Sequence, residues 1–294
     1  MSKIFSKAVR SSIVFVVISS GLMSYAEVTF ESDVVYGHKD GMALVYDVLK
    51  PEDPNGAAIV FMMSGGWYSS WAPPENRARQ FSGMLDAGFT MIPVYHGSAP
   101  RYHIPDAYSD VSRAIRHIKM NAEDYGVDPE RIGVTGGSAG GHLALMVGLD
   151  SDDGLTDVAE QVMLVGNSVA AVVAYFPPVE FREVESAAVG IVNDVPQAEL
   201  LGRFPALDFD EELIPSIAPI LYVDAEDPPT LLIHGDADPL VDVTHSYAIK
   251  EKFDDHGVES DLIVIPGAEH GFRGEDAALA ASARLAWFQK YLLD

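Results

Sequence analysis

The 294-residue sequence contains no cysteine and few basic residues, and both shortages narrow its possible functions. Without thiols it forms no disulfide, so its stability must come from a packed core, which a hydrophobic content of 48% can supply. Lysine and arginine number 19 against 44 acidic residues, giving a net charge of −25. Such a surface repels nucleic acid phosphates and anionic membranes, so we expect neither as a partner.

One apolar stretch stands apart at the N-terminus, and it is too short for a comfortable membrane span. Three basic residues precede the run SSIVFVVISSGLM, and Ser24 and Ala26 occupy the minus-three and minus-one positions of a cleavage site. This layout is typical of a Sec-type signal peptide over residues 1–26, with an uncleaved anchor as the alternative. Cleavage after Ala26 predicts a secreted or periplasmic mature chain with no stable membrane insertion. Residues 1–26 contain three basic residues and no acidic one, so their removal changes the net charge from −25 to −28.

The remaining chain alternates short apolar runs with helix-like segments. Two runs of alternating polarity come first, and six largely apolar runs follow at residues 57–63, 89–95, 131–136, 169–176, 229–235 and 260–267. Continuous apolar runs suit strands that are buried on both faces of a parallel sheet. The pattern predicts one α/β domain over residues 27–294: a mostly parallel, doubly wound sheet with helices on both faces and a small antiparallel edge. Residues from about 179 to 227 lack a strand period and are predicted to be an insertion or lid.

A glycine-rich turn follows the third of the six runs and precedes the apolar segment HLALMVGL. Its sequence GGSAG, residues 136–140, fits G-x-S-x-G, whose small flanking residues let a strained turn expose the serine at the top of a sheet. Glycine-rich turns also bind phosphates, but the dinucleotide pattern G-x-G-x-x-G and a Walker lysine are both missing from this turn. The turn therefore makes Ser138 the candidate nucleophile.

Two candidate partners for this serine follow it along the chain. A serine hydroxyl is a weak nucleophile until a histidine takes its proton and a carboxylate orients that histidine. HGDADPLVD offers Asp236 and Asp238 after one predicted strand, and GAEHGF offers His270 after the next. Because parallel sheets collect their sites at carboxyl strand ends, we predict a triad of Ser138, His270 and Asp238. Asp236 is expected to cap its turn, and the other histidines to be structural or solvent-facing.

Four motifs, MSGGW, GGSAGGH, HGDADPLV and GAEHGF, occur in an order that is specific to one fold. Through them the chain from about residue 40 onward resembles α/β-hydrolase esterases of the hormone-sensitive-lipase and feruloyl or acetyl esterase (BD-FAE) type. The resemblance implies the α/β-hydrolase fold and the same triad. It also implies hydrolysis of a short-chain acyl, acetyl or feruloyl ester, on a small molecule or a polysaccharide, without a metal or an organic cofactor.

The resemblance also implies an oxyanion hole made of backbone amides. The family's H-G-G-G-W stretch matches MSGGW at residues 63–67, which assigns the donors to Gly65, Gly66 and Ala139. Trp67 is a candidate for stacking on a sugar or an aromatic acid, with packing of the lid as the alternative.

The sequence departs from the family's pattern at two places. The leading histidine of H-G-G-G-W is Met63 and its first glycine is Ser64, while the later Y-R-L-A-P stretch becomes HGSAP at residues 96–100. Backbone donors survive such changes. The packing beneath the loop must differ, and we expect the loop to lack the support of the family's histidine.

Two other functions share parts of this pattern. A prolyl-oligopeptidase-type serine peptidase has the same triad in the same order, but the roughly 30 residues between the signal and the hydrolase core leave no room for its propeller-like region. A non-catalytic binding protein could keep the fold, although the intact triad disfavours this.

Overall fold

The computed structural model describes residues 28–182 and 197–293, and at its centre is an eight-stranded sheet. The strands are β1 (Thr29–Lys39), β2 (Met42–Lys50), β3 (Ala58–Met62), β4 (Thr90–Val94), β5 (Ile132–Gly137), β6 (Ala171–Tyr175), β7 (Thr230–Gly235) and β8 (Ser260–Ile265). All eight coincide with runs that the sequence predicted to be strands. The predicted signal peptide, residues 1–26, lies outside the described residues.

The strand order is β1-β2-β4-β3-β5-β6-β7-β8. The β1–β2 and β2–β4 pairs are antiparallel, and every later pair is parallel. This mostly parallel sheet with an antiparallel edge is the predicted α/β-hydrolase fold. Its parallel part brings the carboxyl ends of β3, β5, β7 and β8 to one edge.

Within the described residues, seven α-helices lie between strands and an eighth follows the last strand. They are α1 (Pro74–Gln80), α2 (Ser82–Asp86), α3 (Ile104–Met120), α4 (Ala122–Tyr125), α5 (Ala139–Leu149), α6 (Gln197–Arg203), α7 (Thr244–His256) and α8 (Gly274–Leu292). Side chains of α3, α4, α5 and α7 belong to one buried apolar cluster, and those of α2 and α8 belong to a second.

The two clusters lie on opposite faces of the sheet because successive side chains of a strand point in opposite directions. In β3, Ala58, Val60 and Met62 belong to the first cluster, while Ile59 belongs to the second. Every residue of α5 is buried, so the helix that follows the glycine-rich turn is fixed from all sides. A rigid helix and strand on either side hold that turn in place.

The predicted insertion at 179–227 is described except for residues 183–196. It contains α6 and several short 3₁₀ turns. Its side chains Ala206, Ile217 and Val223 join the same apolar cluster as α5. This segment therefore packs directly over the helix that follows the candidate nucleophile. No helix of the described ranges 28–182 and 197–293 is long and apolar enough to cross a bilayer.

Candidate active site

Ser138 occupies a sharp turn between β5, which ends at Gly137, and α5, which begins at Ala139. Its backbone has φ 55° and ψ −123°, a combination that is costly for a residue with a Cβ atom. The Ser138 N–H donates to the carbonyl of Tyr175 at 2.9 Å, which ties the turn to the end of β6. This conformation places the hydroxyl at the carboxyl edge of the sheet.

The glycines around Ser138 are required by close backbone approaches. A Cβ atom on Gly136 would lie 2.4 Å from the carbonyl carbon of Gly140, and one on Gly140 would lie 2.6 Å from the carbonyl oxygen of Met62. Both distances are shorter than van der Waals contact allows, and neither neighbour can move because both are backbone atoms. The turn therefore packs directly against the end of β3, where the MSGGW stretch begins.

The structure brings the three residues of the predicted triad together. The Nε2 atom of His270 lies 2.9 Å from the Oγ atom of Ser138, and its Nδ1 atom lies 2.7 Å from Oδ2 of Asp238. Asp238 stands on the loop after β7, and His270 on the loop after β8. A carboxylate can only accept, so Nδ1 carries the proton and Nε2 is left to accept one from the serine.

The environment of Asp238 keeps its carboxylate ionised. Burial alone would raise the pKa of Asp238, but hydrogen bonds from His234, His270 and the amides of Val241 and Leu240 hold that pKa well below its usual value. The two amides donate to Oδ1 at 3.0 and 2.8 Å. Oδ2 accepts from the imidazole of His270 at 2.7 Å, and Nε2 of His234 lies 3.4 Å from the same oxygen.

Two neighbours of this triad differ in what they contact. Asp236, the other candidate acid, accepts from the Gly267 N–H at 2.6 Å and so binds its own turn to the loop after β8. Phe176, which the sequence did not single out, packs against His270 with the two rings tilted by 57° and their centroids 4.5 Å apart. It directly follows β6 and has a φ of 35°, so a strained residue holds one face of the imidazole. The apolar run that ends in Phe176 gave only a strand signal.

The predicted oxyanion donors do not all have a free amide. The N–H of Gly65 donates to the carbonyl of Tyr68 at 3.0 Å, and the Tyr68 N–H donates back to Gly65. The prediction that Gly65 contributes its amide is therefore wrong for this structure, because a tight turn consumes it. The amide of Gly66 has no hydrogen-bond partner among the described residues, and that of Ala139 opens α5, where no intrahelical partner exists.

Trp67 does not face a substrate. Its side chain is only 2% exposed, and its indole N–H donates to Nδ1 of His142 at 3.3 Å. The prediction that Trp67 stacks on a substrate is therefore wrong, and the alternative, packing, holds. The exposed aromatic side chains of the same loop are Tyr68 (40% exposed) and Trp71 (54%).

His142 and His234 support this site from beneath. His142 is fully buried on α5, accepts from Trp67 and donates from Nε2 to the Ile217 carbonyl at 2.7 Å. His234 donates from Nε2 to the Val241 carbonyl at 2.9 Å, and the same atom lies 3.4 Å from the carboxylate of Asp238. The sequence signal was the place of His142 directly after GGSAGG and of His234 as the first residue of HGDAD. No cluster of three or more histidine or acidic side chains suited to a metal ion occurs in the part of the chain that the structure describes.

Comparison with known proteins gives one family. The sequence profile of the BD-FAE family matches residues 46–253, which span the oxyanion loop (residues 63–69), the turn at Ser138 and Asp238 but end before His270.

Relatives and solved structures agree with that match. Esterase LipQ of Mycobacterium tuberculosis is 27% identical over 86% of this chain and 59% of its own length. Ethyl acetate hydrolase of Pseudomonas putida is 27% identical over 82% of this chain and 75% of its own length. A truncated carbohydrate esterase from gut microbiota superposes with a TM-score of 0.74 at 28% identity, covering 94% of this chain and all of its own. A butyrate-bound esterase from Thermogutta terrifontis superposes with a TM-score of 0.68 at 26% identity, covering 92% of this chain and 94% of its own. The chain spans about 60% of the length of the first curated relatives it matches.

Proposed function

Because the chain belongs to the BD-FAE family of α/β-hydrolases, we propose that it is a serine hydrolase that cleaves carboxylic esters. The observation that carries this proposal is the continuous hydrogen-bonded path from Asp238 through His270 to Ser138. A strained turn presents the hydroxyl, an ionised carboxylate fixes the imidazole tautomer, and Nε2 is aimed at the serine oxygen. A protein that only bound ligands would have no use for this costly arrangement.

The geometry gives each group a role in acyl transfer. Ser138 Oγ attacks the ester carbonyl carbon while His270 Nε2 takes the hydroxyl proton. The resulting imidazolium is stabilised by Asp238, and the tetrahedral oxyanion accepts from the amides of Gly66 and Ala139. The proton on Nε2 then passes to the leaving alkoxide, which departs as the alcohol. Water attacks the acyl-enzyme with the same base and releases the acid.

Hydrolysis of p-nitrophenyl acetate tests the proposal. The wild-type protein should hydrolyse p-nitrophenyl acetate and should be labelled by a fluorophosphonate at Ser138. Ser138→Ala should lose both, whereas Ser282→Ala, at an exposed serine of α8, should keep both. A wild-type protein that neither turns over nor takes the label would favour a non-catalytic binding protein. Cleavage of prolyl peptides in preference to esters would favour the peptidase.

The relatives support a short acyl group. Those named above include an ethyl acetate hydrolase, a carbohydrate esterase and an esterase bound to butyrate. In this chain the ring of Phe204 lies 3.1 Å from where a Cβ of Gly66 would stand, which limits the room above the oxyanion loop. Activity should therefore be higher on acetate and butyrate esters than on octanoate. Assays with acetylated xylan and feruloyl esters then separate the two polysaccharide-linked substrate classes.

We also propose that the mature enzyme is exported. The basic, apolar and small-residue order of residues 1–26 supports this. N-terminal sequencing of the protein recovered from the periplasm or the medium should begin at Glu27. Retention of residues 1–26 on a membrane-bound product would instead support the uncleaved anchor.

A further inference from the structure

The two places where the sequence leaves the family's pattern touch each other. The Oγ atom of Ser64, in the oxyanion loop (residues 63–69), lies 2.8 Å from the Nε2 atom of His96, in the loop after β4 (residues 95–100). Three further hydrogen bonds join the same two loops: His96 N–H to Ser69 Oγ at 3.2 Å, Ser69 N–H to Ser98 Oγ at 3.0 Å, and Ala99 N–H to Trp67 O at 3.1 Å. Ser64–His96 is the one bond of these four that joins two side chains, and Ser64 lies two residues before Gly66.

The direction of the Ser64–His96 hydrogen bond follows from the other ring nitrogen. The Nδ1 atom of His96 lies 2.8 Å from the carbonyl oxygen of Gly97, which can only accept, so Nδ1 carries a proton. The His96 side chain is buried, and burial lowers its pKa to about 4, so the ring is neutral at physiological pH. Its Nε2 atom is then an acceptor, and the hydroxyl of Ser64 donates to it.

His96 is itself held firmly. The backbone N–H that follows it, on Gly97, donates to Oδ2 of Asp110 at 2.9 Å, and Lys39 donates to Oδ1 of the same carboxylate at 2.9 Å. A Cβ atom on Gly97 would lie 2.7 Å from the ring of Tyr102, so the backbone there is closely packed. The imidazole is thus a fixed acceptor that restrains the side chain of Ser64.

We propose that Ser64 and His96 are positioning residues that hold the oxyanion loop so that the Gly66 amide meets the developing oxyanion. This inference rests on the proposed esterase function. The hydrogen bonds of these two side chains run to each other and to the Gly97 carbonyl and not to Ser138, so the pair acts through the backbone of residues 64–66. The carbonyl of Ser64 also lies 3.3 Å from where a Cβ of Gly140 would stand, so the backbone at Ser64 is close to the start of α5.

The pair is not a second nucleophile and base. A triad histidine has a carboxylate on Nδ1, whereas His96 has the carbonyl of Gly97 there. A neutral carbonyl stabilises an imidazolium much less than a carboxylate does. The geometry of His96 therefore suits a permanent acceptor rather than a proton carrier.

Steady-state kinetics on p-nitrophenyl acetate test the positioning role. Ser64→Ala should lower kcat about tenfold with little change in KM, because the oxyanion exists only in the transition state. Ser64→Thr keeps the hydroxyl and should retain most of the turnover. Ser70→Ala, at an exposed serine after the loop, is the matched control and should match the wild type. His96→Phe removes the same hydrogen bond and should lower kcat at least as much as Ser64→Ala does. The double variant should be no slower than His96→Phe alone, since the bond between Ser64 and His96 is already absent there.

A second measurement keeps the test decisive if His96→Phe does not fold. The ¹⁵N resonance of His96 Nε2 should shift in Ser64→Ala and stay near the wild-type value in Ser64→Thr and Ser70→Ala. An unchanged resonance in Ser64→Ala, or a Ser64→Ala enzyme with wild-type kcat, would overturn the proposal, as would a loss confined to KM. A wild-type protein inactive on every ester and unlabelled by fluorophosphonate would refute the esterase function itself, and the positioning role with it.

Discussion

The imidazole of His270 bridges two residues from distant parts of the chain, with its Nε2 atom 2.9 Å from the Oγ of Ser138, which is 132 residues earlier. Neither side chain owes its position to sequence neighbours of the other. The serine is held by the turn between β5 and α5, and the histidine by the loop after β8 and by the ring of Phe176. The contact therefore depends on the elements that meet at the carboxyl edge of the sheet, and substitutions in those elements can test it.

The first prediction separates the two candidate acids. Asp238→Asn should lower kcat by about 10⁴, because an amide at this position lets His270 adopt the wrong tautomer. Asp236→Asn is the matched control and should keep turnover near wild type, since Asp236 bonds to Gly267 and not to the imidazole. Steady-state kinetics with circular dichroism check both. Equal losses in the two variants would contradict the assignment of the acid.

The second prediction concerns His234, which lies under the acid. His234→Phe should lower kcat about tenfold, because it removes the donor to the Val241 carbonyl and the contact with Asp238. Ser246→Ala is the control: it removes only the hydrogen bond to Nδ1 of His234, leaves the Nε2 contacts in place and should cost much less. A His234→Phe enzyme that folds and turns over at the wild-type rate would show that Asp238 needs no such support.

The sequence predicted the sheet and the triad because strands and motif residues can both be recognised in short contiguous stretches of sequence. All eight apolar or alternating runs became strands, and Ser138, Asp238 and His270 each directly follow one strand or lie on the loop after it. Strand order then brings the three together without further information. The fold and the meeting of these three side chains can thus be predicted from the sequence alone.

What the sequence did not predict correctly are contacts made by loop residues, which have no periodic sequence pattern. The sequence suggested that the oxyanion loop lacks support because Met63 replaces a histidine, yet Ser64 bonds to His96, 32 residues away. It assigned an oxyanion donor to Gly65, but which amide is free depends on how the turn closes on Tyr68. Motif matching gives residue types, whereas hydrogen-bond partners depend on how two loops pack.

The third prediction follows from the buried neutral ring of His142. Burial lowers the pKa of His142 to about 4, against about 6.5 in an unfolded chain. As the pH falls, His142 therefore binds a proton at a higher pH in the unfolded chain than in the folded protein. The stability that this group contributes is complete above pH 6.5 and is lost progressively towards pH 4, by about 3 kcal/mol.

Chemical denaturation at pH 7 and pH 4 checks this sign. His142→Gln removes the titrating group while keeping a donor and an acceptor. The free energy of unfolding of the wild type relative to this variant should therefore be about 3 kcal/mol smaller at pH 4 than at pH 7. Other titrating groups are present in both proteins and cancel in the difference. A difference that does not change with pH would mean that His142 does not stay neutral in the folded protein.

The last prediction distinguishes two adjacent glycines of the oxyanion loop. Gly66 has a φ of 56°, and a Cβ atom there would lie 3.1 Å from the ring of Phe204, whereas a Cβ on Gly65 would meet nothing within 4 Å. Gly66→Ala should therefore displace the free amide and lower kcat. The expected decrease approaches the factor of about 10²–10³ that the loss of one oxyanion donor causes. Gly65→Ala should stay within about twofold of wild type, because its amide only closes the turn onto Tyr68. Turnover of a short-chain ester, with thermal unfolding to confirm that both variants fold, decides between them: if Gly65→Ala suffers the larger loss, Gly65 is the donor after all and the turn must open when substrate binds.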